Sequence, residues 1–328
     1  MTNRKTSNNI QETLETIMGA QRIILCAHLQ PDGDAIGSLL AMKALVERLG
    51  KTVTAICHDP VPKRLYVLPG WEDVQRISDI REDEQFDLFC ALDCSDAERL
   101  GDALPLFERA PRKLVIDHHA SNTCYGDINY VDSKVAATGN LVFRLFEAAN
   151  IEITTDVTTY LYTALSSDTG NFAFGQMDEE FFIQISTLLK AGLDITKYSR
   201  ALHLIREVDF IKLLSRALAS LSFICDGKIS YMCLTQHDFA QSETTPDAAE
   251  GIVNYALNLP GVQMCFLATE TGKNQVKFNL RAIQPNDVAQ IATSFGGGGH
   301  LLAAGCTLEM PLETAVQVMK ERMMQSIC

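Results

Sequence analysis

Short apolar runs alternate with segments of helical spacing through roughly the first 190 residues, and this alternation restricts the fold most. Four apolar runs have the length and composition of buried strands: Arg22–Cys26, Val53–Ile56, Leu88–Leu92 and Leu114–Ile116. Between the first two, apolar residues recur at three- and four-residue steps, and Gly50 follows as a helix stop. Further helices are predicted at about 137–149, 156–166 and 179–191. Strand, helix, strand in succession predicts an α/β fold with a mostly parallel, doubly wound sheet.

The pattern changes in the last third of the chain. A length of 328 residues exceeds one ordinary core, so two domains are expected. The segments KISYMCLT, VQMCFLAT and NQVKFNLRA are typical of strands, and helices are predicted near 286–295 and 312–326. We therefore predict a catalytic domain over 1–195, a helical linker over 196–222, and a smaller α/β domain over 223–328.

Composition indicates where the protein works and what it binds. The sequence contains no signal-peptide core and no run of about 18 apolar residues, which predicts a cytoplasmic protein without a membrane partner. Ten cysteines lack any C-x-x-C pair, which favours reduced thiols. A net charge of −13 repels long polyanions, so we expect short phosphate-bearing substrates and no long nucleic acid.

Histidines and aspartates follow the predicted strands at their carboxyl ends, where open α/β sheets bind ligands. His28, Asp32 and Asp34 follow the first strand, Asp93 follows the third, and His118 and His119 follow the fourth. Asp168 follows an apolar helical segment. Any one of these residues alone would be read as a helix N-cap or a structural histidine. Together they predict a metal site with these ligands: His28, Asp32, Asp34, Asp93, His118 and Asp168.

The ligand types indicate two hard divalent ions. Carboxylates with imidazoles and no thiolate favour Mn²⁺ or Mg²⁺, with Co²⁺, Fe²⁺ and Zn²⁺ as alternatives, and Mn²⁺ is the predicted ion. Four aspartates would be balanced by two divalent cations, and Asp93 is the predicted bridging carboxylate. Two such ions about 3.5–4 Å apart can stabilise the attacking and leaving oxygens of an in-line displacement. Hydrolysis of a phosphate ester or phosphodiester is therefore the expected chemistry.

A phosphate substrate needs further donors, and the last third of the chain offers two candidates. The run FGGGGH places Gly297, Gly298 and Gly299 before His300, and its backbone N–H groups could surround phosphate oxygens. A loose loop is the alternative for the glycines. Arg281 could pair with a phosphate, or it could be an ordinary exposed sheet residue.

These motifs resemble the DHH phosphoesterase superfamily, named for the triplet seen here at Asp117, His118 and His119. HLQPDGDAIGS, ALDCSD and SSDTGNF are similar to further motifs of its catalytic domain, and GGGGHLLAAG is similar to the signature of its associated C-terminal domain. The resemblance implies one manganese on His28, Asp32 and Asp93, and another on Asp34, Asp93, His118 and Asp168. It also implies that Asp93, His118 and His119 are catalytic, with His119 facing the substrate, and that Arg281 and His300 hold nucleotide phosphates. The resemblance further implies an active site in a cleft between the two domains.

Within that superfamily the size and the GGGGH form are most similar to the nano-RNase branch. This resemblance implies hydrolysis of short oligoribonucleotides to nucleoside monophosphates, and of adenosine 3′,5′-bisphosphate to AMP. Three alternatives stay open: hydrolysis of linear dinucleotides from cyclic dinucleotide turnover, hydrolysis of polyphosphate or pyrophosphate, and nucleotide binding without catalysis. A homodimer is also expected.

Overall fold

The structure, a computed structural model, describes residues 9–81 and 83–327. The chain divides into two units, of which the first ends at Ile205 and the second begins at Arg206. This division falls within the segment 196–222, for which the sequence predicts a helical linker. The predicted domain limits stay a prediction.

A six-stranded sheet forms the centre of the first unit. Its strands are β1 (Arg22–Ala27), β2 (Thr52–Cys57), β3 (Gln75–Arg76), β4 (Leu88–Leu92), β5 (Lys113–Asp117) and β6 (Ile128–Val131). They are ordered β3-β2-β1-β4-β5-β6, and all pairs are parallel. Every residue of β4 is buried, as expected for a parallel strand covered on both faces. The predicted parallel α/β sheet is confirmed.

Helices cover both faces of this sheet. They are α1 (Ile10–Gly19), α2 (Gly33–Arg48), α3 (Leu104–Arg109), α4 (Thr138–Ala148), α5 (Thr155–Asp168), α6 (Glu179–Lys190) and α7 (Ile195–Ser199), with a π-helix at Arg200–Leu204 and 3₁₀ segments at Lys63–Leu65, Trp71–Asp73, Ile77–Asp79 and Ala97–Ala103. One face packs against α2, α4 and α5. The other packs against α3 and the last 3₁₀ segment, where the rings of Phe89 and Phe107 meet edge to face at 5.4 Å.

The second unit also contains a six-stranded sheet. Its strands are β7 (Ser222–Ile224), β8 (Ile229–Leu234), β9 (Met264–Gly272), β10 (Gln275–Ala282), β11 (Gly298–His300) and β12 (Ala303–Leu308). Its helices are α8 (Val208–Ala219), α9 (Gln236–Ser242), α10 (Val253–Leu257), α11 (Val288–Thr293) and α12 (Leu312–Ile327), with a 3₁₀ segment at Pro246–Ala249. The order is β11-β12-β10-β9-β8-β7, antiparallel except for β8 with β9. The smaller C-terminal α/β domain is thereby confirmed.

Two sequence interpretations need correction or completion. The sequence analysis predicts neither the helix α1 nor the strand β12. The apolar residues Ile10, Leu14 and Ile17 have the spacing of an amphipathic helix, a signal that the sequence analysis did not use, whereas β12 begins with the small residues Ala303, Ala304 and Gly305. The expectation that all cysteines are reduced is wrong at Cys225, which is disulfide-bonded, whereas eight other described cysteines are free.

Among the described helices, none combines the length and apolar character that a bilayer crossing requires.

Helices α2 and α5 pack so closely that only glycine fits at their contact. A Cβ atom at Gly37 would lie 2.5 Å from the carbonyl oxygen of Tyr160 and 2.8 Å from the backbone nitrogen of Ala164. Both neighbours are backbone atoms of α5, so they cannot turn away as a flexible side chain would. Any side chain at position 37 must push the two helices apart.

We expect Gly37→Ala to lower the free energy of unfolding by about 1–3 kcal/mol, the usual cost of overpacking. The measurement is urea unfolding followed by circular dichroism. Gly19→Ala is the matched control. Apart from its chain neighbours and the nearby backbone of α1, a Cβ atom at Gly19 would have no described heavy atom within 4 Å. Equal midpoints for the two variants would contradict the inferred contact.

Candidate metal centre

The candidate site lies at the carboxyl edge of the first sheet, where the strand order reverses between β1 and β4. In open α/β sheets this switch point forms the crevice that binds ligands. His28 follows β1 directly and Asp93 follows β4 directly. The two side chains meet across the switch point, with His28 Nε2 3.5 Å from Asp93 Oδ2.

The loop after β1 brings two more carboxylates to this edge. Asp32 is the N-cap of α2 and accepts a hydrogen bond from the backbone N–H of Ala35 at 3.1 Å. The same carboxylate lies 3.9 Å from His28 Nε2. Asp32 can therefore cap α2 and face the ligand cluster at the same time, so its role as N-cap does not exclude a role in metal binding.

Asp34 is completely buried, and backbone N–H groups at the start of α4 hold its carboxylate. It accepts hydrogen bonds from the N–H groups of Thr138 at 2.6 Å and Gly139 at 3.0 Å, and from the hydroxyl of Ser38 at 2.8 Å. The N-terminus of a helix favours negative charge because its first N–H groups lack partners within the helix. The contribution of Thr138 is not visible in the sequence, since it is about a hundred positions away from Asp34.

Asp93 lies at the centre of the cluster in an unusual backbone conformation. Its φ of 56° is in the left-handed region, which costs a non-glycine residue about 1–3 kcal/mol and often marks a functional site. Its Oδ1 accepts a hydrogen bond from Thr138 Oγ1 at 3.0 Å. Burial acts to raise the pKa of Asp93, but His28, His118 and His119 together hold it below its ordinary value.

His118 points into the middle of the carboxylates. Its Nε2 lies 3.0 Å from Asp168 Oδ2, 3.6 Å from Asp93 Oδ1 and 3.8 Å from Asp34 Oδ2. This nitrogen is buried, yet it has no hydrogen bond of acceptable geometry to any described residue. A buried imidazole nitrogen surrounded by oxygens but without a hydrogen bond suits a metal ligand.

The side chain of His119 is oriented by Asp117, the first residue of the DHH triplet. The sequence analysis assigned no role to Asp117. His119 Nδ1 lies 2.7 Å from Oδ1 of the fully buried Asp117. The other oxygen of Asp117 accepts a hydrogen bond from Asn122 Nδ2 at 2.6 Å. The same Nδ2 also donates to the carbonyl oxygen of Cys94, the residue after Asp93, at 3.2 Å. Asp117 and Asn122 thus link the placement of His119 to the backbone beside Asp93.

The structure brings all six predicted ligands into overlapping groups that fit divalent cations. Ligand atoms lie within 4.8 Å of one another in each group: His28 with Asp32 and Asp93; Asp34 with His118 and Asp168; Asp93 with His118 and His119. Burial and neighbouring carboxylates raise the pKa of Asp34, and burial raises that of Asp168 to about 6. Bound cations would relieve this crowding of charge. Carboxylate and imidazole ligands without thiolates suit hard divalent ions. The assignment of individual ligands stays a prediction.

The predicted substrate residues of the second unit lie at one end of its sheet. Arg281 pairs with Ala303 on β12, and its Nη1 donates to the carbonyl oxygen of Leu280 at 2.9 Å. The glycine run is not a loose loop, because Gly298 and Gly299 belong to the edge strand β11. Gly299 has a φ of 142°, which favours glycine. The side chain of His300 lies outside the described part of the structure, and its role stays a prediction.

Comparison with known proteins is consistent with this arrangement. The sequence model described as "DHH family, N-terminal domain" matches residues 22–165, and that of the "DHHA1 domain" matches residues 226–325. The chain is similar to the "Bifunctional oligoribonuclease and PAP phosphatase NrnA" of Thermus thermophilus, with 29% identity over 92% of this chain and 87% of that protein. The protein of the same name from Bacillus subtilis is 23% identical over 90% of this chain and 92% of its own length.

A crystal structure of an "exopolyphosphatase-related protein" from Bacteroides fragilis has the same fold. It matches with a TM-score of 0.91 and 25% identity, covering 99% of this chain and 98% of that one. Two matched domains in the same order, over 22–165 and 226–325, agree with the two units seen in the structure. The chain therefore carries a DHH domain over residues 22–165 and a DHHA1 domain over residues 226–325.

Proposed function

We propose that this protein is a two-metal phosphoesterase that hydrolyses short oligoribonucleotides to nucleoside monophosphates and adenosine 3′,5′-bisphosphate to AMP. The observation that carries the proposal is the convergence of His28, Asp34, Asp93, His118 and Asp168, with Asp32, at the switch point of the sheet. The names of the relatives from Thermus thermophilus and Bacillus subtilis support the substrate classes.

Two divalent ions, most suitably Mn²⁺ with Mg²⁺ or Co²⁺ as alternatives, would supply charge stabilisation for an in-line displacement. His28, Asp32 and Asp93 would hold one ion, and Asp34, Asp93, His118 and Asp168 the other. His119, oriented by Asp117 at 2.7 Å, would face the substrate phosphate. Arg281, Gly297, Gly298, Gly299 and His300 are proposed to bind phosphate groups of the nucleotide. Since the net charge is −13, these local donors matter more than long-range attraction.

A panel of substrates tests the assignment. With Mn²⁺, we expect turnover of 5′-phosphorylated diadenylate and of adenosine 3′,5′-bisphosphate. Chromatography of the released AMP measures both reactions. Pyrophosphate, polyphosphate and long RNA serve as comparison substrates in the same buffer. Faster hydrolysis of polyphosphate than of either adenine substrate would replace the proposal with a polyphosphatase. No turnover of the two adenine substrates with any of the three metals would reject it.

Replacement of Asp93 separates a catalyst from a nucleotide-binding regulator. Loss of a residue that only orients a metal ligand typically costs roughly 10- to 100-fold in activity. Asp93→Ala should lower kcat by more than this, because both proposed ion sites lose a ligand. Calorimetric titration with Mn²⁺ should show fewer or weaker bound ions. Asp127→Ala is the control, since Asp127 is exposed and accepts from the backbone of Lys113 at the opposite edge of the sheet. Retention of wild-type kcat by Asp93→Ala would argue against the metal centre.

Asp117 should act through His119. Asp117→Asn replaces one of two acceptor oxygens with an NH₂ group, so either His119 or Asn122 loses its partner. We expect kcat to fall about 10- to 100-fold with a much smaller change in KM, as for an outer residue that orients an active side chain. Steady-state kinetics measures both values, and an unfolding curve shows whether the fold is retained. A change in KM alone would contradict an orienting role.

A further inference from the structure

A cavity of about 460 Å³ lies beside the metal centre and belongs entirely to the first unit. It is lined by Leu29, Gln30, His58, Asp59 and Arg99, none of which belongs to the predicted ligand set. Leu29 and Gln30 follow β1, and His58 and Asp59 follow β2, so the cavity opens at the same sheet edge as the ligands. Its volume is within the range of small-ligand sites and is sufficient for one nucleoside.

Arg99 forms the side of the cavity that faces the metal centre. Its Nη2 lies 3.1 Å from Nδ1 of His28, the ring nitrogen opposite the one that faces Asp93. That Nδ1 also lies 2.6 Å from the carbonyl oxygen of Leu29, which favours a proton on Nδ1 and makes it a poor acceptor for Arg99. Within the described part of the chain, no carboxylate forms an ion pair with Arg99, although the protein carries a charge of −13. An exposed guanidinium so placed is suited to a phosphate.

His58 and Asp59 offer a donor and an acceptor on another side of the cavity. The backbone N–H of Asp102 donates to His58 Nδ1 at 3.1 Å in the tautomer that carries the ring proton on Nε2, and Asp102 Oδ2 lies 3.3 Å from the same Nδ1. That Nε2 lies 4.0 Å from Asp59 Oδ1, too far for a direct hydrogen bond. The other oxygen of Asp59 accepts from the N–H of Gln30 at 2.7 Å, which fixes the carboxylate. A hydroxyl group between Nε2 and Oδ1 could accept from the first and donate to the second.

Asp59 also stands where other nucleotide-binding sheets of this strand order place the acidic residue that binds ribose, just after the second strand. In such sheets the acidic residue hydrogen-bonds the ribose 2′-hydroxyl while phosphate is bound near the first strand. Asp59 follows β2 by two positions, and Arg99 lies next to His28 at the end of β1. The cavity thus presents a phosphate donor and a hydroxyl acceptor in an arrangement consistent with one nucleotide.

We propose that this cavity binds one ribonucleotide unit of the substrate, with Arg99 on its phosphate and Asp59, assisted by His58, on a ribose hydroxyl. The proposal deepens the function proposed above and rests on it for the nature of the substrate. It assigns selectivity for RNA over DNA to the first unit. Nucleotide binding there is separable from hydrolysis, because neither Arg99 nor Asp59 is a predicted metal ligand.

Equilibrium binding tests the proposal without requiring turnover. Calorimetry with the Mn²⁺-loaded full chain compares AMP, 2′-deoxy-AMP and adenosine. We expect wild type to bind AMP about tenfold or more tightly than 2′-deoxy-AMP, the scale of a hydrogen bond to a charged group. Asp59→Asn and Asp59→Ala should lose most of that preference. Arg99→Met should weaken AMP about 10- to 100-fold while leaving adenosine nearly unchanged, and Arg99→Lys should restore part of the affinity.

Two matched variants control for general effects of charge removal. Arg112→Met removes an exposed arginine just before β5, at the amino edge of the sheet, and Asp156→Asn removes an exposed carboxylate at the start of α5. Both should bind all three ligands as wild type does. Equal affinity of wild type for AMP and 2′-deoxy-AMP, undetectable AMP binding, or no change in Arg99→Met would overturn the proposal. Failure of hydrolysis alone would reject only the proposed function, since these readouts are independent of it.

Discussion

Mutual repulsion among carboxylates at one edge of the sheet is the constraint around which the first unit is built. At a separation of about 4 Å, two like charges repel by on the order of 4 kcal/mol at an effective dielectric constant of 20. Thr138 opposes this repulsion twice, since its N–H binds Asp34 and its hydroxyl binds Asp93. Gly139, the second residue of α4, and the histidines of the cluster supply further compensation. The protein therefore provides part of the positive potential itself and leaves a remainder that divalent cations can neutralise.

Much of the first unit was predictable because its signals are local. Parallel strands buried on both faces are continuous apolar runs, and the strand Leu88–Leu92 has the predicted limits. His28 and Asp93 are predictable because they directly follow such runs, whereas Asp168 ends an apolar helix. Elements with small or mixed residues, such as β12, carry no comparable signal, and their pairing depends on neighbours distant in sequence.

The support of the site could not be predicted for the same reason. Thr138 is an ordinary threonine in the sequence, and only the fold brings it to Asp34 and Asp93. Asn122 follows the DHH triplet closely, but its two donated hydrogen bonds depend on the path of the chain after β5. Spacing indicates which residues carry the chemistry, whereas the residues that orient them are fixed by tertiary contacts. The glycine run illustrates the converse, because a sequence suggestive of flexibility forms an ordered strand.

The close packing of α2 against α5 fixes the relative position of two carboxylates that belong to one ligand group, Asp34 and Asp168. Asp34 lies at the beginning of α2 and Asp168 at the end of α5, and the contacts of Gly33 with Ser167 and of Gly37 with Tyr160 show that the helices run in opposite directions. The backbone that carries either carboxylate cannot shift without disturbing the contact between the two helices at Gly37. Thermal inactivation should then coincide with cooperative unfolding of the whole first unit, and not with gradual fraying of a surface loop.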